Sequence, residues 1–151
     1  MKQLIFTLLI LMAITLLGAV SYDETMRSFF AAGHSGEIDG DTYWIMDDVY
    51  SNRDDALKKI VKLAALFVHQ DSDEYVTSIP EFNKVFDSTD YIFCRWSNNA
   101  GSSYNFMRVP VLYVLLSYYA MALSFQTTGD LEKDLYDMLK DSALIEEWEV
   151  E

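Results

Sequence analysis

The chain has 151 residues, of which 51% are hydrophobic and 23% are charged, so a folded domain is expected rather than a disordered segment. Its 24 acidic and 11 basic side chains give a net charge of −13, which argues against nucleic acid as a partner because phosphates would be repelled. The single cysteine, Cys94, excludes an intramolecular disulfide and a cysteine-rich zinc site.

The N-terminal segment has the pattern of a secretory signal peptide. Lys2 is followed by the uncharged run Leu4 to Val20, and small residues stand at the end of this run, where a signal peptidase would cut. The pattern predicts a signal peptide at residues 1–21 and an exported domain, periplasmic or extracellular, at residues 22–151. An uncleaved anchor is the alternative, since a run of this length lies near the lower limit for crossing a bilayer. Membrane contact would then be made only through residues 4–20.

The first half of the domain contains signals for a hairpin and a helix. The Asp-Gly pair at 39–40 suits the positive φ angles of a type I′ turn, which predicts a short β-hairpin near residues 37–44. Ser51 and Asp54 have the spacing of a capping box, and apolar residues then recur every three to four positions as far as His69. This is the clearest helix in the sequence.

The middle of the chain is more ambiguous. Ser78 and Glu81 form a second capping box and predict another helix. The segment Tyr91 to Trp96 is rich in β-formers, so it is compatible with a strand, but we predict that it continues the helix. Ser97 to Asn105 is the longest run of turn-forming residues and predicts a loop.

The stretch Val109 to Phe125 has no charge on any side, so as a helix it would lie in a domain core or in a membrane. Its seventeen residues would span about 26 Å, less than the roughly 30 Å of bilayer hydrocarbon. We therefore expect a buried central helix at about 109–125, with Leu115 or Leu116 fully buried.

The C-terminal segment completes the predicted fold. Asp130 is placed to cap a last helix, which Ile145 and Trp148 are expected to extend. The predicted fold class is all-α: one acidic helical domain over residues 22–151, built as a small bundle around the helix at 109–125.

Residues that could carry catalysis or bind a metal have simpler structural explanations. Cys94 could pair with His34 or His69 as a nucleophile and base, but it lies in an apolar run typical of a buried, inert thiol. The acidic hairpin lacks the twelfth-position acid of a calcium loop, and carboxylate spacing in the sequence cannot reveal a glycosidase pair. We assign no catalytic residue, no metal and no cofactor. The residues considered for metal binding lie on and just after the predicted hairpin: His34, Glu37, Asp39, Asp41, Asp47 and Asp48.

The residues around the 97–105 loop suggest an interaction site, because Tyr, Trp and Arg are the side chains that most often anchor interfaces. An ordinary connector with core aromatics is the alternative. We interpret the chain as an exported, small, acidic protein-binding domain with a basic partner: an inhibitor, immunity factor or adaptor at the cell envelope. A membrane-anchored envelope component with two transmembrane helices and a small hydrolase are the alternatives. The candidate interaction residues are Arg95, Trp96, Tyr104, Phe106 and Arg108.

Overall fold

The computed structural model describes residues 24–72, 80–97 and 103–150, which form five helices and five strands. Residues 24–31 are helical and form α1. The later helices are α2 (Arg53–Asp71), α3 (Pro80–Ser88), α4 (Val111–Leu123) and α5 (Leu131–Leu139). The strands are β1 (Gly33–Ile38), β2 (Asp41–Tyr50), β3 (Tyr91–Ser97), β4 (Tyr104–Pro110) and β5 (Glu146–Val150).

The prediction of an all-α bundle is wrong, because the strands form one five-stranded mixed sheet in the order β1-β2-β3-β4-β5. Neighbouring strands are antiparallel except for β2 and β3. A parallel pair needs a crossover connection, which α2 and α3 supply here. The predicted helix at Tyr91–Trp96 is the central strand β3, and Trp148, predicted to extend the last helix, lies in β5.

The predicted hairpin near residues 37–44 is confirmed, and its strands are longer than expected. Asp39 and Gly40 have φ angles of 52° and 87°, the two positive values of a type I′ turn. The pairing runs from Gly33 opposite Met46 to Ile38 opposite Asp41.

One face of the sheet carries the core. Its buried side chains form a single cluster with residues of all five helices, so the helices pack on this face and the domain has two layers. The strand residues of this cluster are Trp44, Met46, Ile92, Cys94, Trp96, Met107 and Val109.

The central helix is α2, and the prediction of a buried central helix at 109–125 is wrong. Ten residues of α2 are buried, whereas α4 buries only Val111 and Val114. Leu115 is half-buried and Leu116 is 54% exposed. The stretch also begins as strand, since Val109 and Pro110 end β4 before α4 starts.

Helix caps are partly as predicted. The N-cap of α2 is Asn52 rather than Ser51, and its Oδ1 accepts a hydrogen bond from the backbone N–H of Asp55 at 2.9 Å. Asp130 caps α5 as predicted, with its Oδ1 3.2 Å from the backbone nitrogen of Lys133.

Several sequence predictions lie outside the described residues: the signal peptide at 1–21, the cap at Ser78, and residues 98–102 of the loop. Among the helices of residues 24–72, 80–97 and 103–150, none is long and apolar enough to cross a membrane.

Candidate interaction surface

The second face of the sheet carries aromatic and arginine side chains. None of these side chains belongs to the helix-packed core cluster, although β2, β3 and β4 also supply core residues. Because side chains alternate along a strand, the residues between the core positions of β3 and β4 point to this side. Strand pairing then places Tyr91 beside Tyr43, Phe93 beside Arg108, and Arg95 beside Phe106. We call the set the open-face cluster: Tyr43, Tyr91, Phe93, Arg95, Tyr104, Phe106, Arg108 and Trp148. Within it Tyr43 is buried and supports its neighbours, whereas Tyr104 and Trp148 are exposed.

Arg108 organises the first half of the open-face cluster. Its guanidinium carbon lies 4.3 Å from the ring centroid of Tyr91, and the Tyr91 ring stacks on Tyr43 with centroids 5.0 Å apart. Arg108 Nε and Nη2 donate to Glu146 Oε2 at 2.9 and 2.7 Å, and Nη1 donates to the Tyr43 hydroxyl. The hydrogen bond to Glu146 is the largest cause of a raised Arg108 pKa. The pair therefore stays charged and fixed in place.

Three aromatic rings, one each from β3, β4 and β5, form the second half of the open-face cluster. Phe106 stacks on Phe93 with centroids 5.5 Å apart and on Trp148 with centroids 5.8 Å apart. Trp148 is 41% exposed and lies on β5 at the edge of the sheet. Such ring pairs add stability beyond simple area burial, so these side chains are held in defined positions.

A bulge in β2 borders this surface. The pairing with β3 shifts between Ile45 and Val49, and the extra residues include Asp47. The backbone oxygen of Asp47 accepts from Arg95 Nη2 at 3.0 Å, and its carboxylate lies 2.6 Å from His34 Nδ1. The bulge thus fixes Arg95 and adds acidic groups at the rim of the open-face cluster.

The structure separates the predicted interaction residues into two sets. Arg95, Tyr104, Phe106 and Arg108 share the open face. Trp96 is only 9% exposed, belongs to the core cluster and points to the helices. The strand alternation makes this division: neighbours in sequence, Arg95 and Trp96 lie on opposite faces.

Sequence reasoning missed Tyr43, Tyr91, Phe93 and Trp148. The sequence signal that could have found Tyr91 and Phe93 is the alternation of polar and apolar residues in Cys-Arg-Trp-Ser, because extending it back along a strand places both rings on the face of Arg95. The contrast between polar and apolar residues is present only in the second half of the strand, where Arg95 and Ser97 alternate with Cys94 and Trp96, because Tyr91 and Phe93 in the first half are aromatic.

The side chains considered for catalysis and metal binding are not gathered into a site. Cys94 is fully buried on the helix-packed face, and burial raises the pKa of its thiol, which disfavours the nucleophilic thiolate. His34 instead lies in an exposed pair with Asp47. Across residues 24–72, 80–97 and 103–150, no three His, Cys, Asp or Glu side chains converge as metal ligands.

Two cavities of about 280 and 270 Å³ lie near the lower end of the size range of ligand sites. The first is lined by Lys58, Val61, Lys62, Glu132, Lys133 and Tyr136, and the second by Phe67, Gln70, Asp71, Phe86, Asp87 and Leu115. Neither contains the cysteine or a histidine, so neither brings together the Cys–His pair considered for a hydrolase, and the carboxyl groups that line them are Glu132 in the first and Asp71 and Asp87 in the second.

Comparisons with known proteins give no match: no family model fits the chain, and neither curated proteins nor solved structures resemble it at a significant level. The open-face cluster is therefore the feature of the molecule that bears most on its function.

Proposed function

We propose that this chain is an exported protein-binding domain whose partner docks on the open-face cluster. The observation that supports it is the row of aromatic and arginine side chains on a sheet face that lies outside the helix-packed core. The outer face of a two-layer sheet is usually polar, so an aromatic outer face calls for a partner. Export is supported by the signal-like run at residues 4–20.

The geometry of the cluster suits tight protein recognition. The stacked rings, and Arg108 with its two hydrogen bonds to Glu146, lose little conformational freedom when a partner binds, because their positions are already fixed. Tyr, Trp and Arg are also the residue types that contribute most binding energy at interfaces.

The charge distribution favours a partner with an apolar centre and a basic rim. Within the cluster, Glu146 neutralises Arg108, while the exposed Asp47 and Asp48 lie beside it in the β2 bulge. The net charge of −13 would steer a basic protein toward this domain, so association should slow as salt is raised. Roles as an inhibitor, immunity factor or adaptor at the cell envelope all fit such a partner.

The test compares two aromatic-to-aspartate variants of the full chain. Trp148→Asp changes an exposed ring of the cluster, and Tyr113→Asp changes an exposed ring on α4 as the matched control. Immobilised wild-type protein should capture a basic envelope protein at low salt and release it at high salt. Trp148→Asp should lose the capture and Tyr113→Asp should keep it, with both variants giving the wild-type circular dichroism spectrum. Equal capture by Trp148→Asp and wild type would overturn the proposal.

A further inference from the structure

Helix α4 presents an apolar stripe to solvent. At about 100° per residue, Leu112, Leu116 and Leu123 lie within roughly 40° of one another on one side of the helix. They are 62%, 54% and 81% exposed, and Tyr113 beside them is 58% exposed. Tyr119 on the same side is half-buried, and its hydroxyl donates to Asp71 of α2 at 2.6 Å. We call this surface, together with Phe125 just beyond the helix end, the α4 stripe.

Phe125 makes the α4 stripe more pronounced. Its side chain is 95% exposed, and its backbone has a φ of 55°, a left-handed conformation that residues with a side chain seldom adopt. The stretch from Val109 to Gly129 has no charged residue. A water-facing helix surface normally carries polar side chains, so this surface is built for an apolar neighbour.

The size of the stripe distinguishes between possible neighbours. The thirteen residues of α4 span about 20 Å, too short to cross a bilayer of about 30 Å. Half of the curved surface of such a helix, about 10–12 Å in diameter, offers roughly 300–400 Å², well below the approximately 800 Å² per partner of a stable interface. A second copy docked only through α4 would therefore be held weakly, whereas a bilayer surface has no such size limit.

We propose that α4 lies in the plane of a lipid bilayer, with the α4 stripe inserted among the acyl chains at the headgroup boundary. Leu, Tyr and Phe are the residues that interfacial helices insert. The sequence also contains the uncharged run Leu4 to Val20, and its predicted role as a signal or an anchor would bring the protein to a membrane. This surface is separate from the open-face cluster, so the inference does not rest on the proposed function.

The charge of the domain predicts an unusual lipid preference. Interfacial helices commonly carry Lys and Arg that attract anionic lipids, but α4 has none and the chain carries −13. Insertion should therefore be best in zwitterionic phosphatidylcholine and should weaken as anionic phosphatidylglycerol is added at low salt.

Nitroxide labels on the full chain test the insertion directly. Cys94 is fully buried, so a cysteine introduced at Leu116, Leu123 or Phe125 is the accessible label site, and Ala143→Cys on the exposed turn after α5 is the control. In phosphatidylcholine vesicles, labels on the α4 stripe should collide severalfold more with oxygen, and severalfold less with a water-soluble nickel chelate, than the control label does. Adding phosphatidylglycerol should reduce this difference.

A charge variant completes the experiment. Leu116→Glu should lift a label at position 125 out of the bilayer, while Ala143→Glu, which changes the net charge equally, should leave it inserted. Stripe labels as accessible to the nickel chelate as the control would overturn the proposal. So would spin–spin broadening between stripe labels without a gain in oxygen collisions, because that result would assign the stripe to a second copy of the chain. Neither outcome would affect partner capture through Trp148.

Discussion

Asp54 links α2 to α5. Its carboxylate in the first turn of α2 accepts a hydrogen bond from the Tyr136 hydroxyl of α5 and pairs with Lys58 at 3.0 Å. The Tyr136 hydrogen bond, followed by the one from Lys58, holds the pKa of Asp54 below its ordinary value of 3.8. The same hydrogen bond raises the pKa of Tyr136. The link is therefore strongest when Asp54 is ionised and Tyr136 is protonated.

This link predicts an acid-sensitive contribution to stability. A carboxyl whose pKa is lowered by folding contributes fully above its unfolded value of about 3.9, and the contribution disappears as pH falls through the lower folded value. The free energy of unfolding should thus fall less between pH 5 and pH 3 in Tyr136→Phe than in wild type. The difference should be small, since the Asp54 side chain is 49% exposed.

Urea titrations at the two pH values measure this effect. Tyr113→Phe, which removes the hydroxyl of a well-exposed ring on α4, serves as the control and should behave as wild type. An identical pH dependence for wild type and Tyr136→Phe would show that the hydrogen bond does not shift the Asp54 pKa.

At the scale of elements, α2 is the buried central helix, a role that the sequence predicts for α4. Leu63 on α2 is fully buried, whereas Leu116 on α4 is 54% exposed. Leu63→Ala should lower the free energy of unfolding by about 2–5 kcal/mol, since it removes buried surface and leaves a cavity. Leu116→Ala should change it by no more than about 0.5 kcal/mol, as surface substitutions usually do.

Thermal and urea unfolding of the two variants show which helix is buried. The chemical change, Leu to Ala, is the same in both variants, so each serves as the control for the other. A larger loss of stability in Leu116→Ala than in Leu63→Ala would mean that α4 is the buried helix. The α4 stripe would then not be a solvent-exposed surface.

The errors at this scale have a common physical cause. Short apolar runs such as Tyr91 to Trp96 carry no period that separates a strand from a buried helix. In β3 the first two open-face residues, Tyr91 and Phe93, are aromatic rather than polar, which hides half of the alternation. For α4, uniform hydrophobicity identifies a helix but not which of its sides is buried, because that depends on the area the rest of the fold can cover.

At the scale of the whole molecule, the sheet predicts a gradient of amide protection. β3 is hydrogen-bonded on both sides and packs on α2, whereas β1 and β5 are the edge strands. Hydrogen exchange should therefore be slowest in β3 and in the buried part of α2, and faster in β1 and β5. Exchange in residues 91–97 as fast as in β5 would contradict the central position of β3.

The sequence by itself determined the features that depend on a few neighbouring residues. These are the turn at 39–40, the cap at Asp130 and the period of α2. Local chemistry is enough for each, because a turn or a cap is made within about one helical turn of chain.

Only the tertiary structure decided which residues meet. Tyr43, Arg108 and Glu146 are far apart in sequence, yet strand pairing brings them into one hydrogen-bonded group. The packing of the helices on one side of the sheet then decides that the face of Trp96 is the core and the face of Arg95 is not. Strand partners are chosen by long-range packing and by the crossover through α2 and α3, which leaves no local period in the chain. The open-face cluster and the α4 stripe therefore exist as surfaces only once the sheet has formed and the helices have covered one side of it.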